Sequence, residues 1–245
     1  MKVNKWIIIC SVLTGLLCIF LLIVSKDDTL IESVAVSLLT GTIISALTSI
    51  IYYLNERQRI LYKIKEAIPN IYINLKYMHD MMSNILPQVI YVQYLDSLNY
   101  RRLLELASLN MDFVQQCQMG LFVAFSKNGK TVHAVDKFQK YIDDLYNLKN
   151  CLGKLECIVL DADILQNQLY IKQINNQIIL PEEQKLLCDK RNLVNVRTAK
   201  IHEYEASLLK ELDDIAVDFF HKSKNEWKEK KGMLNQQVIQ LFNEM

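Results

Sequence analysis

The side chains of this sequence best suited to chemistry are cations and hydroxyls. Near the C-terminus Lys222, Lys224, Lys228, Lys230 and Lys231 stand with His221 around Trp227, relieved only by Glu226 and Glu229. A basic run holding one aromatic ring can pair with phosphates while the indole stacks on a base; the same pattern also makes a solvated helix face. A second group is Ser37, Gly41, Ser45 and Ser49, one small residue every four positions, flanked by Thr40 and Thr48. On a helix these form one stripe. Such a stripe lets helix backbones approach closely. In several copies around an axis it would instead present hydroxyls to a water-filled path. A third group is Arg197-Thr-Ala-Lys-Ile-His202, beside an apolar stripe where the arginine can snorkel or pair with a carboxylate.

Motifs of catalysis and metal binding are otherwise missing. There is no P-loop, G-x-G-x-x-G, H-E-x-x-H, G-x-S-x-G or C-x-x-C. Cys151 and Cys157 lie six positions apart with no histidine pair nearby, which suits thiols better than zinc ligands. His79, His133 and His221 are isolated in sequence and carry no assignment. The reading is a protein that is not an enzyme, with no catalytic residue, no cofactor and no metal.

The elements that must position these groups begin with two apolar runs. Residues 6–24 contain no charge, and neither do residues 33–54; only SKDDTLIE separates them. At 1.5 Å per residue each run covers a hydrocarbon core of about 30 Å. Lipid leaves backbone groups no partner but the helix itself, so the expectation is a helical hairpin over residues 1–54, crossing the bilayer twice. The first run is longer than the core of a signal peptide and no A-x-A-like site follows it, so it reads as a retained anchor. Lys2 and Lys5 precede the hairpin and Arg57, Arg59, Lys63 and Lys65 follow it, whereas the connecting loop holds Lys26 among three acids. The excess of Lys and Arg places both termini in the cytoplasm. The four cations after the second run would sit at the membrane interface against anionic head groups. Neither run holds Asp, Glu, Lys, Arg or His, which argues against a proton pump or charge-coupled transporter.

Residues 55–245 then form a cytoplasmic domain. The chain has 245 residues, 28 Lys+Arg against 27 Asp+Glu, and 51% hydrophobic residues. That balance excludes a disordered tail and lacks the basic excess of a dedicated nucleic-acid-binding domain. Six glycines and three prolines disfavour a turn-rich β-sandwich or barrel. The fold expected is all-α, with one helix over 33–68, a short segment bracketed by Pro69 and Pro87, and a helix over 95–125 that buries Leu106, Leu109, Phe113, Cys117 and Leu121. After the turn SKNGK, a helix is expected over 131–150 on Val135, Phe138, Ile142, Leu145 and Leu148. Residues 154–178 are open between helix and strand. Helices over 181–221 and 225–243 complete the chain, the former on Ile201, Tyr204, Leu208, Leu212, Ile215 and Phe219, the latter on Leu234, Val238 and Leu241. Cys117, Cys151, Cys157 and Cys188 would be free thiols in a reducing compartment.

Two resemblances follow. Arg197 and His202 form an R-x4-H that resembles the active-site motif of the HEPN ribonucleases, all-α domains that cleave RNA at a dimer cleft. That likeness implies a phosphate-holding arginine and a proton-transferring histidine, although Thr198 replaces the polar residue usual after the arginine. The layout of the hairpin and the helical continuation 55–68 resembles the two-span membrane effectors of bacterial anti-phage defence, of the cyclic-oligonucleotide, retron and Hailong kinds. This second likeness implies a homo-oligomer, a tetramer among the symmetric solutions, in the bacterial inner membrane. It further implies an ion channel or pore controlled by a nucleotide or oligonucleotide on the cytoplasmic helices, with a nucleotidyltransferase or reverse transcriptase as partner. Pore lining would fall to Ser37, Thr40, Gly41, Ser45, Thr48 and Ser49. The signal would bind at Lys222, Lys224, Trp227, Lys228, Lys230 and Lys231.

Overall fold

A computed structural model describes residues 2–24, 29–91, 97–115, 130–220 and 224–243. Every element among them is helical: α1 (Lys2–Val24), α2 (Thr29–Tyr91), α3 (Ser97–Gln115), α4 (Lys130–Ile174), α5 (Pro181–Phe219) and α6 (Lys224–Asn243). The chain forms two compact units, Met1–Lys63 with Gln118–Val132, and Ile64–Cys117 with His133–Met245. Unit 1 holds α1 and the first part of α2; unit 2 holds the rest of α2 with α3, α5, α6 and nearly all of α4.

In unit 1, α1 and α2 pack antiparallel through small residues. The Ser11 hydroxyl donates to Ser45 Oγ at 3.5 Å. Two turns of contact are completed by Gly15, where a Cβ would lie 3.7 Å from Thr42 Oγ1, and by the buried Cys18, Ala35 and Ser49. Outside this seam the apolar side chains face outward, Leu13, Leu16, Phe20 and Ile23 on α1 and Ile44, Leu47 and Ile51 on α2 among them. Among the described residues one segment, Glu32–Tyr52, is long and apolar enough to cross a membrane; Ile9–Val24 is a shorter apolar helix, so the expected second span is not shown. The side chains of residues 6–8, which extend the first run, lie outside the described residues.

Unit 2 is a bundle whose helices bury residues at alternating intervals of three and four. On α4 these are Phe138, Tyr141, Leu145, Leu148, Leu152, Leu155, Val159 and Ala162; on α2 they are Ile64, Ile68, Ile71, Leu75, Met78 and Met82. That interval is the seam of left-handed helix packing. Polar cross-links join the helices: Tyr72 to Asn235 between α2 and α6, and Lys137 to Asp218 between α4 and α5. The α4–α5 connection is a Schellman closure. Asn176 takes the left-handed conformation at φ 53°, Gln177 N–H reaches Lys172 O, and Asn176 N–H reaches Gln173 O. Pro181 then opens α5, with the Leu180 N–H donating to the Glu183 carboxylate.

Several sequence expectations change here. Pro69 does not end a helix: α2 runs through both Pro69 and Pro87. A proline inside a helix costs about 3 kcal/mol in isolation, but Ile64, Ala67, Ile68, Ile71, Tyr72 and Leu75 bury the turns on either side. The open stretch 154–178 is helical to Ile174, because Leu155, Val159, Ala162 and Leu169 continue the α4 seam. On α3 the buried face is Tyr100, Leu103, Ala107 and Asn110, and Leu109 is exposed; Cys117, Leu121 and most of the SKNGK turn lie outside the described residues. On α6, Leu234 and Val238 are buried as expected, Leu241 is exposed, and Trp227 near the helix start joins the core.

Candidate functional site

The most unusual group of side chains in unit 2 joins α2 to α5. Glu205 occupies the apolar seam of α5, between Ile201 and Leu208, where its side chain is 0% exposed. Neither of its carboxylate oxygens has a hydrogen-bond partner among the described residues. His79 from α2 and His202 from α5 stack face to face above it, ring centroids 4.1 Å apart and 4° from parallel. Their Nδ1 atoms approach Glu205 Oε2 at 3.9 and 4.0 Å, and both are buried without a partner. One ligand-type atom from each of the three residues lies within 4.8 Å of the other two.

The tautomer of His202 follows from its neighbour. Ser83 spends its single hydroxyl proton on the His79 carbonyl at 3.0 Å. At 3.4 Å from His202 Nε2 it can then only accept, so Nε2 carries the ring proton and Nδ1 is left with the lone pair, 4.0 Å from Glu205 Oε2. Burial governs the electrostatics of the whole group. It pushes the Glu205 carboxyl well above its usual range, with the nearby Asp80 charge adding to the effect. It lowers both imidazoles, His79 further through His202 and Lys76. Asp80 itself pairs with Lys76 one turn away. Near neutral pH both imidazoles are thus uncharged, and the site favours either a proton on Glu205 or an external cation beside it.

A groove of about 600 Å³ opens on another side of α5, against α4, lined by Cys151, Leu155, Cys157, Ile158, Ile201 and Tyr204. Lys154, Arg197 and Lys200 stand around this largely apolar lining, and no ion pair forms with any of the three among the described residues. Tyr204 donates to the Asp144 carbonyl and carboxylate at 3.1 and 3.2 Å; burial beside that acid pushes its hydroxyl to about 12.

The positions singled out in the sequence distribute as follows. Arg197 lines the α4 groove while His202 turns to α2, so the two members of the R-x4-H have different neighbours. Trp227 is buried, edge-on to Tyr72 and tilted on Phe220, and its indole N–H donates to Asp213 at 3.1 Å. Lys231 pairs with the same Asp213, and Lys230 lies over the Phe220 ring. Lys228 is exposed; Lys222 and the Lys224 side chain lie outside the described residues. Lys65 pairs with Glu226 at 3.2 Å, so this cation serves the bundle. Arg59 is exposed and Lys63 half-buried, and the Arg57 side chain lies outside the described residues. The hydroxyl stripe divides: Ser45 meets Ser11 of α1 and Ser49 is buried, whereas Ser37, Thr40, Gly41 and Thr48 are exposed. Thr40 and Thr48 donate to Val36 and Ile44 carbonyls one turn back, and nothing lies within 4 Å of a Cβ built on Gly41.

Sequence reading missed Glu205 and gave His79 no role. The available signal was His202-x-x-Glu205, a spacing that sets two ligands on one helix face, with a carboxylate in a seam otherwise reserved for apolar residues. No family model, curated protein or solved structure matches this chain.

Proposed function

We propose that this chain is a two-span inner-membrane protein that assembles into an oligomeric, ligand-controlled channel or pore, with its helical unit in the cytoplasm. The observation that carries the reading is the surface of unit 1. Its α1–α2 seam uses one face of the small-residue stripe, and Ser37, Thr40, Gly41 and Thr48 remain exposed among apolar side chains. A lone anchor in lipid needs only apolar groups outside. A second face of small and hydroxylated residues is what close self-association requires, and what a path for hydrated ions requires. The outward apolar side chains of α1 support it as the second span, shorter than Glu32–Tyr52 yet similar in character.

For the controlling ligand, the α4–α5 groove is better equipped than the C-terminal lysines. An apolar recess with three cations at its edge suits an amphipathic anion such as a nucleotide or short oligonucleotide. Trp227 and Lys231, by contrast, are already engaged with Asp213. This supports the likeness to anti-phage membrane effectors, in which a nucleotidyltransferase or reverse-transcriptase partner would make or withhold the signal. The ribonuclease reading draws no such support, since Arg197 and His202 face different neighbours. The test is induced expression in bacteria with a membrane-potential dye. Depolarisation is expected from the native chain and much less from Thr40→Leu with Thr48→Leu. A potential that stays intact while the protein accumulates in the inner membrane rejects the reading.

A further inference from the structure

Within unit 2, α2 and α5 meet at atoms that no described residue of the bundle satisfies. Glu205 Oε2, His79 Nδ1 and His202 Nδ1 converge, all buried and all without a hydrogen-bond partner among the described residues. A buried polar atom left unpaired costs about 1–3 kcal/mol, and here three such atoms are gathered in one place, both Nδ1 atoms within about 4 Å of Glu205 Oε2. The separations exclude direct hydrogen bonds, 3.9 and 4.0 Å being too long. They lie close to what a shared ion demands: ligand atoms about 2.0–2.1 Å from a tetrahedral zinc stand about 3.3 Å from each other. Because the rings stand 4° from parallel and an imidazole ligates in its own ring plane, ligation also requires one ring to turn about its Cβ–Cγ bond, out of the stack.

We propose that His79, His202 and Glu205 form a divalent transition-metal site of the zinc class, with two imidazole nitrogens and one carboxylate as ligands and a fourth position open to water. The donor set is that of borderline metals such as Zn²⁺ and Co²⁺ and unlike the all-oxygen sets of Mg²⁺ and Ca²⁺. Ser83 is the outer-shell partner: by accepting from His202 Nε2 it holds the ring in the tautomer whose Nδ1 can ligate. Among the described residues, Asp80 on α2 and Glu203 on α5 add negative charge near the rings, and Lys76 adds positive charge near His79. His79 and His202 are each about one-fifth exposed, 20% and 24%, which leaves an entry path from solvent. The ion would pin α2 to α5, and so set the stability of the bundle independently of any channel activity.

The test uses the full chain in detergent, stripped with chelator and titrated with Co²⁺ alone, then with Zn²⁺ in competition. One Co²⁺ per chain is expected, with the visible absorption of a four-coordinate nitrogen–oxygen site that Zn²⁺ abolishes. Glu205→Gln, nearly isosteric and free of the buried charge, should weaken binding at least tenfold, as should His79→Ala. Ser83→Ala leaves all three ligands in place and should cost roughly tenfold through the lost tautomer control. Three results would overturn the site: no visible band in the native chain, native affinity in Glu205→Gln, or binding that vanishes on alkylation of the cysteines.

Discussion

Replacing Glu205 with leucine should make the metal-free protein more stable. The position lies in the apolar seam of α5 between Ile201 and Leu208, is fully enclosed, and offers its carboxylate no hydrogen bond among the described residues. Removing an unsatisfied buried polar group relieves about 1–3 kcal/mol. For about 2 kcal/mol in a chain of this size the melting temperature rises ~4–8 °C. The gain should depend on pH with a definite sign. Burial raises the Glu205 carboxyl, so above the ordinary carboxylate range the folded state holds a proton that the unfolded state has released. Stability of the native chain therefore falls as pH rises towards the folded value, by at most about 1.4 kcal/mol per unit. His79 and His202 are lowered; the stability they confer is present above the ordinary histidine range and lost as pH falls through their folded values, in both proteins alike. The advantage of Glu205→Leu is accordingly smallest near pH 4.5 and grows towards neutrality. Thermal unfolding in detergent with chelator, followed by circular dichroism between pH 4.5 and 8, measures it. A variant less stable than the native chain at pH 7.5, or an advantage independent of pH, refutes the reasoning. With Zn²⁺ at a hundred times its dissociation constant, the native chain alone gains about 2.7 kcal/mol and the ranking reverses.

Three further outcomes follow from other contacts. Asp213→Ala strips the buried Trp227 indole and Lys231 of their shared acceptor; a loss of about 2–3 kcal/mol is expected, with Trp227 fluorescence altered relative to the native chain. Asn176→Val places a β-branched residue at φ 53° and should cost about 1–2 kcal/mol in the same melts, whereas Asn176→Gly should be neutral or better. Arg197→Glu with Lys200→Glu should weaken a fluorescent nucleotide at least tenfold in polarisation assays, while Lys228→Glu leaves it unchanged; the reverse pattern would return the ligand to the C-terminal lysines.

Much of the helix content was legible, because apolar spacing is set by local geometry. The extent of α5 follows from Pro181, the acids behind it and the stripe that includes Leu208, Leu212 and Ile215. What escaped was decided by packing. Pro69 reads as a breaker on propensity alone, and only the buried turns around it hold α2 together. Phase also escaped on α3, where Leu106 and Leu109 looked like the core but Tyr100, Leu103, Ala107 and Asn110 fill it. Trp227 illustrates the limit for sites: an indole among lysines fits a base-stacking patch equally well until Asp213 arrives from another helix. The His79–His202–Glu205 group needs two helices far apart in sequence, so spacing could reveal only its α5 half.

Ion flux across sealed vesicles bears most directly on the membrane reading. Purified chain is reconstituted into liposomes holding a potassium gradient, and the potential is followed as protein density rises. Dissipation that increases with density is expected, suppressed when Thr40 and Thr48 are both leucine. Vesicles that keep their gradient at every density, with nucleotides present or absent, would contradict it.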